Sequence, residues 1–362
     1  MKNIKLSQTV LILFLFFLIF SGLYFAKPFL VPLSIAGLLS MLFLPVCKFF
    51  EKKGINRVLA SLFCVLIFVC VIAGIGALIG WQISDLAKDS TKIEKNITSF
   101  IDKAKSSLES SFGISQQKQQ EVIQQQKKSG GSGVGSIVKA IMSSTSGFLV
   151  NTLLVLVYLF LFLYFRRHLK DFILKLVPQT EKSNTKKIID QSTSVAQKYL
   201  SGLSIMIVIL WIMYGIGFSV AGVKNAFFFA ILCGLLEIVP FVGNITGTAL
   251  TIIASMATGG SLNVIIGILI VYGLVQFIQT YILEPLVVGE EISINPLFTI
   301  IGLVVGELVW GIPGMVVALP VLGMLKVIFD NIDPLKPYGF LIGSQKKENN
   351  FKDKMKKFFH KK

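Results

Sequence analysis

Glu237 lies in the stretch LLEIVPFVGN (235–244), three residues before a proline and surrounded by apolar side chains. It is one of five glutamates between residues 225 and 325, with Glu284, Glu290, Glu291 and Glu307, and that span contains no Lys, Arg, His or Asp. Acids without bases cannot neutralise one another as salt bridges. A charged side chain at the centre of a bilayer costs about 3 kcal/mol on insertion scales, and more by other estimates. If the span lies in a membrane, its embedded acids must be protonated, hold a cation or face water. Each of these states suits a transport path. Glu290 and Glu291 read as loop residues.

The run 226–239 would make roughly 21 Å of helix, short of a hydrocarbon layer of about 30 Å. Pro240 and Gly243 break it, and a second short run follows at 245–257. Carbonyls freed at such a break need water or protein contact, and discontinuous helices are where transporters place ion sites. Glu237, about one turn before the break, and Asn244, just after it, are therefore candidates for coupling and for lining a path. A protonated Glu237 that merely caps the turn is the other reading, and the sequence leaves both open.

The pattern has an echo. The run 297–310 ends at GIPG (311–314), where Gly311, Pro313 and Gly314 interrupt the helix, and Glu307 precedes the break by about one turn. Between the two breaks, 262–283 is long enough to cross a bilayer. Tyr272, Gln276, Gln279 and Thr280 recur along it at helical spacing, and Glu284 continues the stripe. A polar stripe on a membrane helix faces a bundle interior, as glue between helices or as the wall of a pathway. The sequence thus nominates Glu237, Glu307 and Glu284 for ion coupling, and Asn244, Gln276, Gln279 and Thr280 for the lining.

The elements that must position these residues are membrane helices. The chain is 54% hydrophobic and 15% charged, with a mean hydropathy of +0.75; a soluble domain is nearer a quarter charged. The net charge of +16 would suggest nucleic acid in a soluble protein. Here the Lys and Arg gather at the ends of apolar runs, as on the cytoplasmic flanks of membrane helices, and no nucleic-acid partner is expected. Cys47, Cys64, Cys70 and Cys233 lack CxxC spacing, and the two histidines, His168 and His360, sit in basic flanks. No metal or cofactor is expected. Without GxxxxGK[ST], HExxH or GxSxG, the chain has neither a nucleotide motor nor the marks of an intramembrane enzyme.

The fold class is an all-α polytopic membrane protein with about seven or eight hydrophobic segments. Residues 1–81 hold three membrane helices, the first (10–26) uncleaved. Residues 82–146 form a polar, amphipathic extracytoplasmic insertion. The core, 147–345, begins with a fourth helix (147–165) and carries a basic amphipathic helix at 180–201, expected along the inner membrane surface. A fifth helix (203–222) precedes the broken segments, and 346–362 is a basic tail. Basic flanks at 47–57 and 166–198 put both termini in the cytoplasm. Whether each broken segment is a re-entrant hairpin or crosses once stays open; run lengths favour hairpins, which would put 284–296 in the cytoplasm.

The stretch ILEPLVVGEEISINPLFTIIGLVVGELVWGIPGMVVALPVLGMLKVIFD (282–330) resembles the C-terminal signature of the autoinducer-2 exporter family of bacterial inner-membrane proteins, through Glu284-Pro285, Gly289, Pro296, Gly311, Gly314 and Pro320. EIVPFVGNITG (237–247) is similar to that family's other Pro/Gly break. The resemblance covers nearly the whole layout and implies export of a small polar solute, or sodium (or potassium)/proton antiport, by a homo-oligomer in the inner membrane. Glu307 and the Gln-rich stretch 116–126 are not part of it. A non-transporting scaffold for envelope processes, working through the insertion and the basic face, is the competing class. It would leave the acids without bases unexplained.

Overall fold

The computed structural model describes residues 6–88, 145–239, 242–288 and 294–344. Most of the polar insertion, Pro240, Glu290, Glu291 and the tail at 346–362 lie outside the described residues. Among the described residues the secondary structure is helical, apart from one antiparallel bridge between Ile294 and Gly343. The helices are α1 (Leu6–Phe25), α2 (Lys27–Lys52), α3 (Arg57–Lys88), α4 (Thr145–Lys175), α5 (Lys182–Val220), α6 (Ala226–Leu236), α7 (Val242–Ala257), α8 (Leu262–Ile278), α9 (Pro296–Trp310), α10 (Ile312–Asn331) and α11 (Lys336–Ile342). A π-helix, Gln279–Val288, continues α8 directly. By length and composition, α2, α3, α4, α5, α8 with the start of its π extension, and α10 can each cross a membrane. The chain is a multi-pass membrane protein.

Two features differ from the expected elements. The sequence places a boundary between an amphipathic helix ending at 201 and a span starting at 203, yet α5 is continuous from 182 to 220. No proline lies at that junction, and a lone glycine such as Gly202 costs only about 1 kcal/mol against alanine. The apolar stretch after GIPG, 315–328 in the sequence, is short of a span, whereas α10 has 20 residues. Ile312–Gly314 at its start and Phe329–Asn331 at its end account for the gain: Gly311, at φ 70°, takes up the whole break, and Pro313 falls within the first turn of α10, where its missing N–H costs nothing.

The chain divides into two compact units, residues 1–48, 161–201 and 289–362 in one and residues 49–160 and 202–288 in the other. In the first, α9 and α10 form a tight antiparallel hairpin. A Cβ on Gly314 would collide with the Gly306 carbonyl, and one on Gly302 with Leu322. Small residues let the two backbones meet, as in many membrane helix pairs. Asn295 caps α9 by accepting from the Leu297 N–H at 3.0 Å, with Pro296 as the first helical residue. Trp310 Nε1 donates to the Leu23 carbonyl of α1 at 3.0 Å.

The open end of this hairpin is fastened to the basic segment. Asn295 N–H donates to the Ile342 carbonyl at 2.8 Å, and Gly339 of α11 sits against Asp330. Asn331 Nδ2 donates to Gln191 Oε1 at 3.2 Å, while Asn184 Nδ2 donates to the Asn331 carbonyl at 3.4 Å. The α10 end of the hairpin is thus held by the lysine-rich start of α5, and the α9 end by α11.

In the second unit the core is a ridge of Met206, Leu210, Tyr214 and Phe218, spaced four apart on α5. It packs on Phe229, Ala230 and Cys233 of α6 and on Ile268 and Val275 of α8. Gly222, at φ 78°, ends α5, and the Val223 N–H donates to the Phe218 carbonyl at 2.9 Å. This is the left-handed cap that glycine permits without a Cβ penalty. At 11 and 16 residues, α6 and α7 are roughly 16 and 24 Å long, too short to cross a layer of about 30 Å. They lie antiparallel, with Gly247 against Cys233 and Gly243 against Leu236.

Candidate functional site

The tip of the α6–α7 hairpin is where the lone acid comes to rest. The helix ends at Leu236, but the Glu237 N–H still donates to the Cys233 carbonyl at 3.1 Å, and Gly243 N–H donates to the Val239 carbonyl at 2.9 Å. The turn is tight enough that a side chain at 243 would strike the Leu236 carbonyl. That constraint gives Gly243 its place and aims Glu237 inward. Its side chain is only 7% exposed, so a charge there would be largely desolvated.

The partner comes from 42 residues away. Gln279, 1% exposed, donates from Nε2 to Glu237 Oε1 at 2.7 Å. Gln279 is the first residue of the π-helix, and such wider turns are frequent at functional sites. The change of winding also explains why the sequence stripe splits. Gln279 turns into the core, whereas Thr280 and Glu284 are exposed. A regular α-helix would have kept Gln276, Thr280 and Glu284 more nearly in line. Glu284 still lies within electrostatic reach of Glu237, and Asn244 touches the same carboxyl.

A second chain of polar groups runs beside the first. Tyr214 Oη donates to Asn244 Oδ1 at 3.2 Å, Asn244 Nδ2 donates to Gln276 Oε1, and Gln276 Nε2 donates to Thr280 Oγ1 at 3.1 Å. Asn244 and Tyr214 are buried and Thr280 is exposed, so the chain leads outward from the core. The structure thus brings together Glu237, Asn244, Gln276, Gln279 and Thr280, with Glu284 nearby. Glu307 belongs to the α9–α10 unit and is exposed there. Gly311 takes up that unit's break, Pro313 and Gly314 fall in the first turn of α10, and Pro240 lies outside the described residues.

Sequence reasoning passed over Tyr214 and one face of α7. The buried positions of α7 are Gly243, Asn244, Gly247, Thr248, Thr251, Ser255 and Ala257. Val242, Ile245, Leu250 and Ile253 point outward, between 42% and 64% exposed. Polar inside and apolar outside is the pattern of a helix in lipid. The spacing 244, 248, 251, 255 carried that signal, hidden by the small side chains. Among the described residues no cluster of His, Cys, Asp and Glu fits a metal ion. The groups facing Glu237 are oxygens and amides, able to bind a proton, a monovalent cation or a neutral polar molecule.

A profile described as AI-2E family transporter matches residues 11–333. Among named proteins, the chain is 27% identical over 375 residues to YueF of Bacillus subtilis, covering 90% of this chain and 92% of the relative. It is 24% identical to YrrI of the same organism, over 88% and 91% of the two chains. A protein of Thermotoga maritima is 21% identical over 90% and 97%. All three carry names that make them candidate transport proteins.

Proposed function

Because the chain belongs to the AI-2E transporter family, we propose that it exports a small polar solute across the bacterial cell membrane, downhill or driven by an ion gradient. The observation that carries the reading is the buried Glu237–Gln279 pair at the tip of a hairpin too short to cross. A carboxyl held by an amide, with no base in residues 225–325, can exchange a proton or a cation without first breaking a salt bridge. Desolvation makes its charge state sensitive to whatever enters the site. Glu237 is the coupling acid in this reading. Gln276, Gln279, Thr280 and Asn244 line the site, Glu284 lies at its margin, and Glu307 has at most an auxiliary part.

Sodium or potassium/proton antiport is the second reading, favoured by the same ring of oxygens and amides. The chain has no nucleotide-binding motif of the P-loop kind, so either activity would draw on a gradient. A scaffold role gives the buried acid nothing to do.

Topology follows from the same hairpins. With the termini in the cytoplasm, α5 leads outward, α6–α7 returns to the outer face, and α8 crosses inward. Asn331 is fastened to the lysine-rich start of α5, and Asn295 to Ile342 of α11, which supports a cytoplasmic location for 294–296. The test of the function is flux from proteoliposomes of the purified protein under imposed sodium, potassium and proton gradients. Gradient-dependent movement of protons or solute is expected. Liposomes that behave as protein-free ones under every gradient would favour the scaffold.

A further inference from the structure

The buried face of α7 has two kinds of hydroxyl. Thr251, fully buried, donates to the Gly247 carbonyl at 2.8 Å and lies 3.6 Å from Cys233 Sγ. The first is a bond back along α7 and the second a contact with α6, so this hydroxyl is fully placed. Thr248 and Ser255 differ. They are 5% and 3% exposed, and their Oγ atoms have no protein partner. Gln279 is the same on one side: Nε2 holds Glu237, but its buried Oε1 is without a partner.

A buried hydroxyl left without a bond costs about 1–3 kcal/mol, which packing alone gives no reason to accept. Internal water is the usual remedy, and it needs polar partners close together. Asn244, Thr248, Thr251 and Ser255 advance by about 5–6 Å per step along α7, and the row covers roughly 16 Å from the hairpin tip to its open end. With Thr251, whose oxygen can still accept, as the middle step, each step is within the reach of one bridging water. At the tip, the row meets Asn244 and the Glu237 carboxyl.

We infer that the Asn244–Thr248–Ser255 face of α7 is a hydrated path by which protons pass between Glu237 and the open end of the hairpin. The inference rests on the coupling role proposed for Glu237 and adds the route. A proton leaving the carboxyl goes to water held at Thr248 and Asn244, and a second proton is released from water at Ser255, so charge balances at every step. Hydroxyls suit this because each both donates and accepts. The titratable neighbours of the carboxyl and of Tyr214 are Tyr214 itself on α5, Cys233 on α6, Tyr272 on α8 and Glu284 on the π-helix. Of these, the Glu284 carboxylate is the one that could itself accept the proton, and it lies on the π-helix rather than on α7.

The test is a pH jump on the full-length protein in liposomes, followed by infrared absorption of protonated carboxyl groups. The band assigned to Glu237 is the one lost in Glu237→Gln. In Thr248→Val and Ser255→Ala the band is expected to appear about tenfold more slowly or worse, with its midpoint unmoved. Thr248→Ser, which restores the hydroxyl, is expected to return the rate, and serves if Thr248→Val does not fold. A merely structural role would shift the midpoint or leave the rate alone, and unchanged rates in both hydroxyl-free variants overturn the path while leaving Glu237 as the coupling acid. If no titrating band disappears in Glu237→Gln, the coupling role itself fails and the path falls with it.

Discussion

The two helix breaks share a sequence pattern and a hairpin, and arrive at different surroundings. At each, a glutamate precedes a glycine- and proline-rich interruption, and two helices fold back side by side. In α6–α7 the acid is buried, with an amide from another helix on its carboxyl. In α9–α10 the acid is exposed, and the meeting surfaces are Gly306 against Gly314 and Gly302 against Leu322. An acid one turn before a break therefore does not by itself fix its surroundings. What distinguishes Glu237 is a facing helix that delivers a polar partner, and here Gln279 does so.

The largest test of this contrast is Glu237→Gln. It should fold as the parent does and lose gradient-dependent flux by about 100-fold, the scale of a missing proton-transfer group. Normal flux with unchanged pH dependence would reduce Glu237 to a turn cap. Membrane sidedness gives an all-or-none test of the hairpins. A cysteine at position 293, in a background without the four native cysteines, should resist an impermeant maleimide added outside and react once the membrane is opened. Fast labelling from outside would mean that the broken segments cross once.

Glycine substitutions test the close backbone approach at both breaks. Gly314→Ala and Gly243→Ala each drive a methyl into a backbone carbonyl, at a cost of about 1–3 kcal/mol. Both should lower the unfolding midpoint in detergent, whereas Gly273→Ala, with open space around it, should not. Equal midpoints for all three would refute the close approach. The smallest effect is expected at Glu307. Glu307→Gln should change flux by less than about threefold, because among the described residues no side chain holds its carboxyl as Gln279 holds that of Glu237. A loss as large as that of Glu237→Gln would restore the symmetry between the two breaks.

Much of this molecule was legible without coordinates. The membrane class follows from composition, and the breaks follow from Pro240, Gly243, Gly311 and Pro313, because proline and glycine act on their own stretch of chain. The acids without bases at 225–325 are likewise visible, since counting needs no fold. The lines drawn by spacing alone fared less evenly. The stripe from Tyr272 to Glu284 assumed one helical winding throughout, and the π-helix from Gln279 changes it. The junction at Gly202 looked like a boundary because polarity changes there, but the backbone carries no signal to stop.

Sequence by itself determined that this chain crosses membranes, that its helices break at two places, and that Glu237 and Glu307 stand one turn before those breaks. These are properties of composition and of neighbours along the chain. Only the tertiary structure decided which acid is buried, since burial depends on what another helix places against it, 42 residues away in the case of Gln279. It alone separated Thr251, which bonds to its neighbours, from Thr248 and Ser255, which do not. All three are small hydroxyl residues on one helical face. Thr251 bonds to the Gly247 carbonyl within α7 and lies 3.6 Å from Cys233 Sγ on α6, whereas neither kind of partner reaches Thr248 or Ser255, and the spacing along α7 does not distinguish the three.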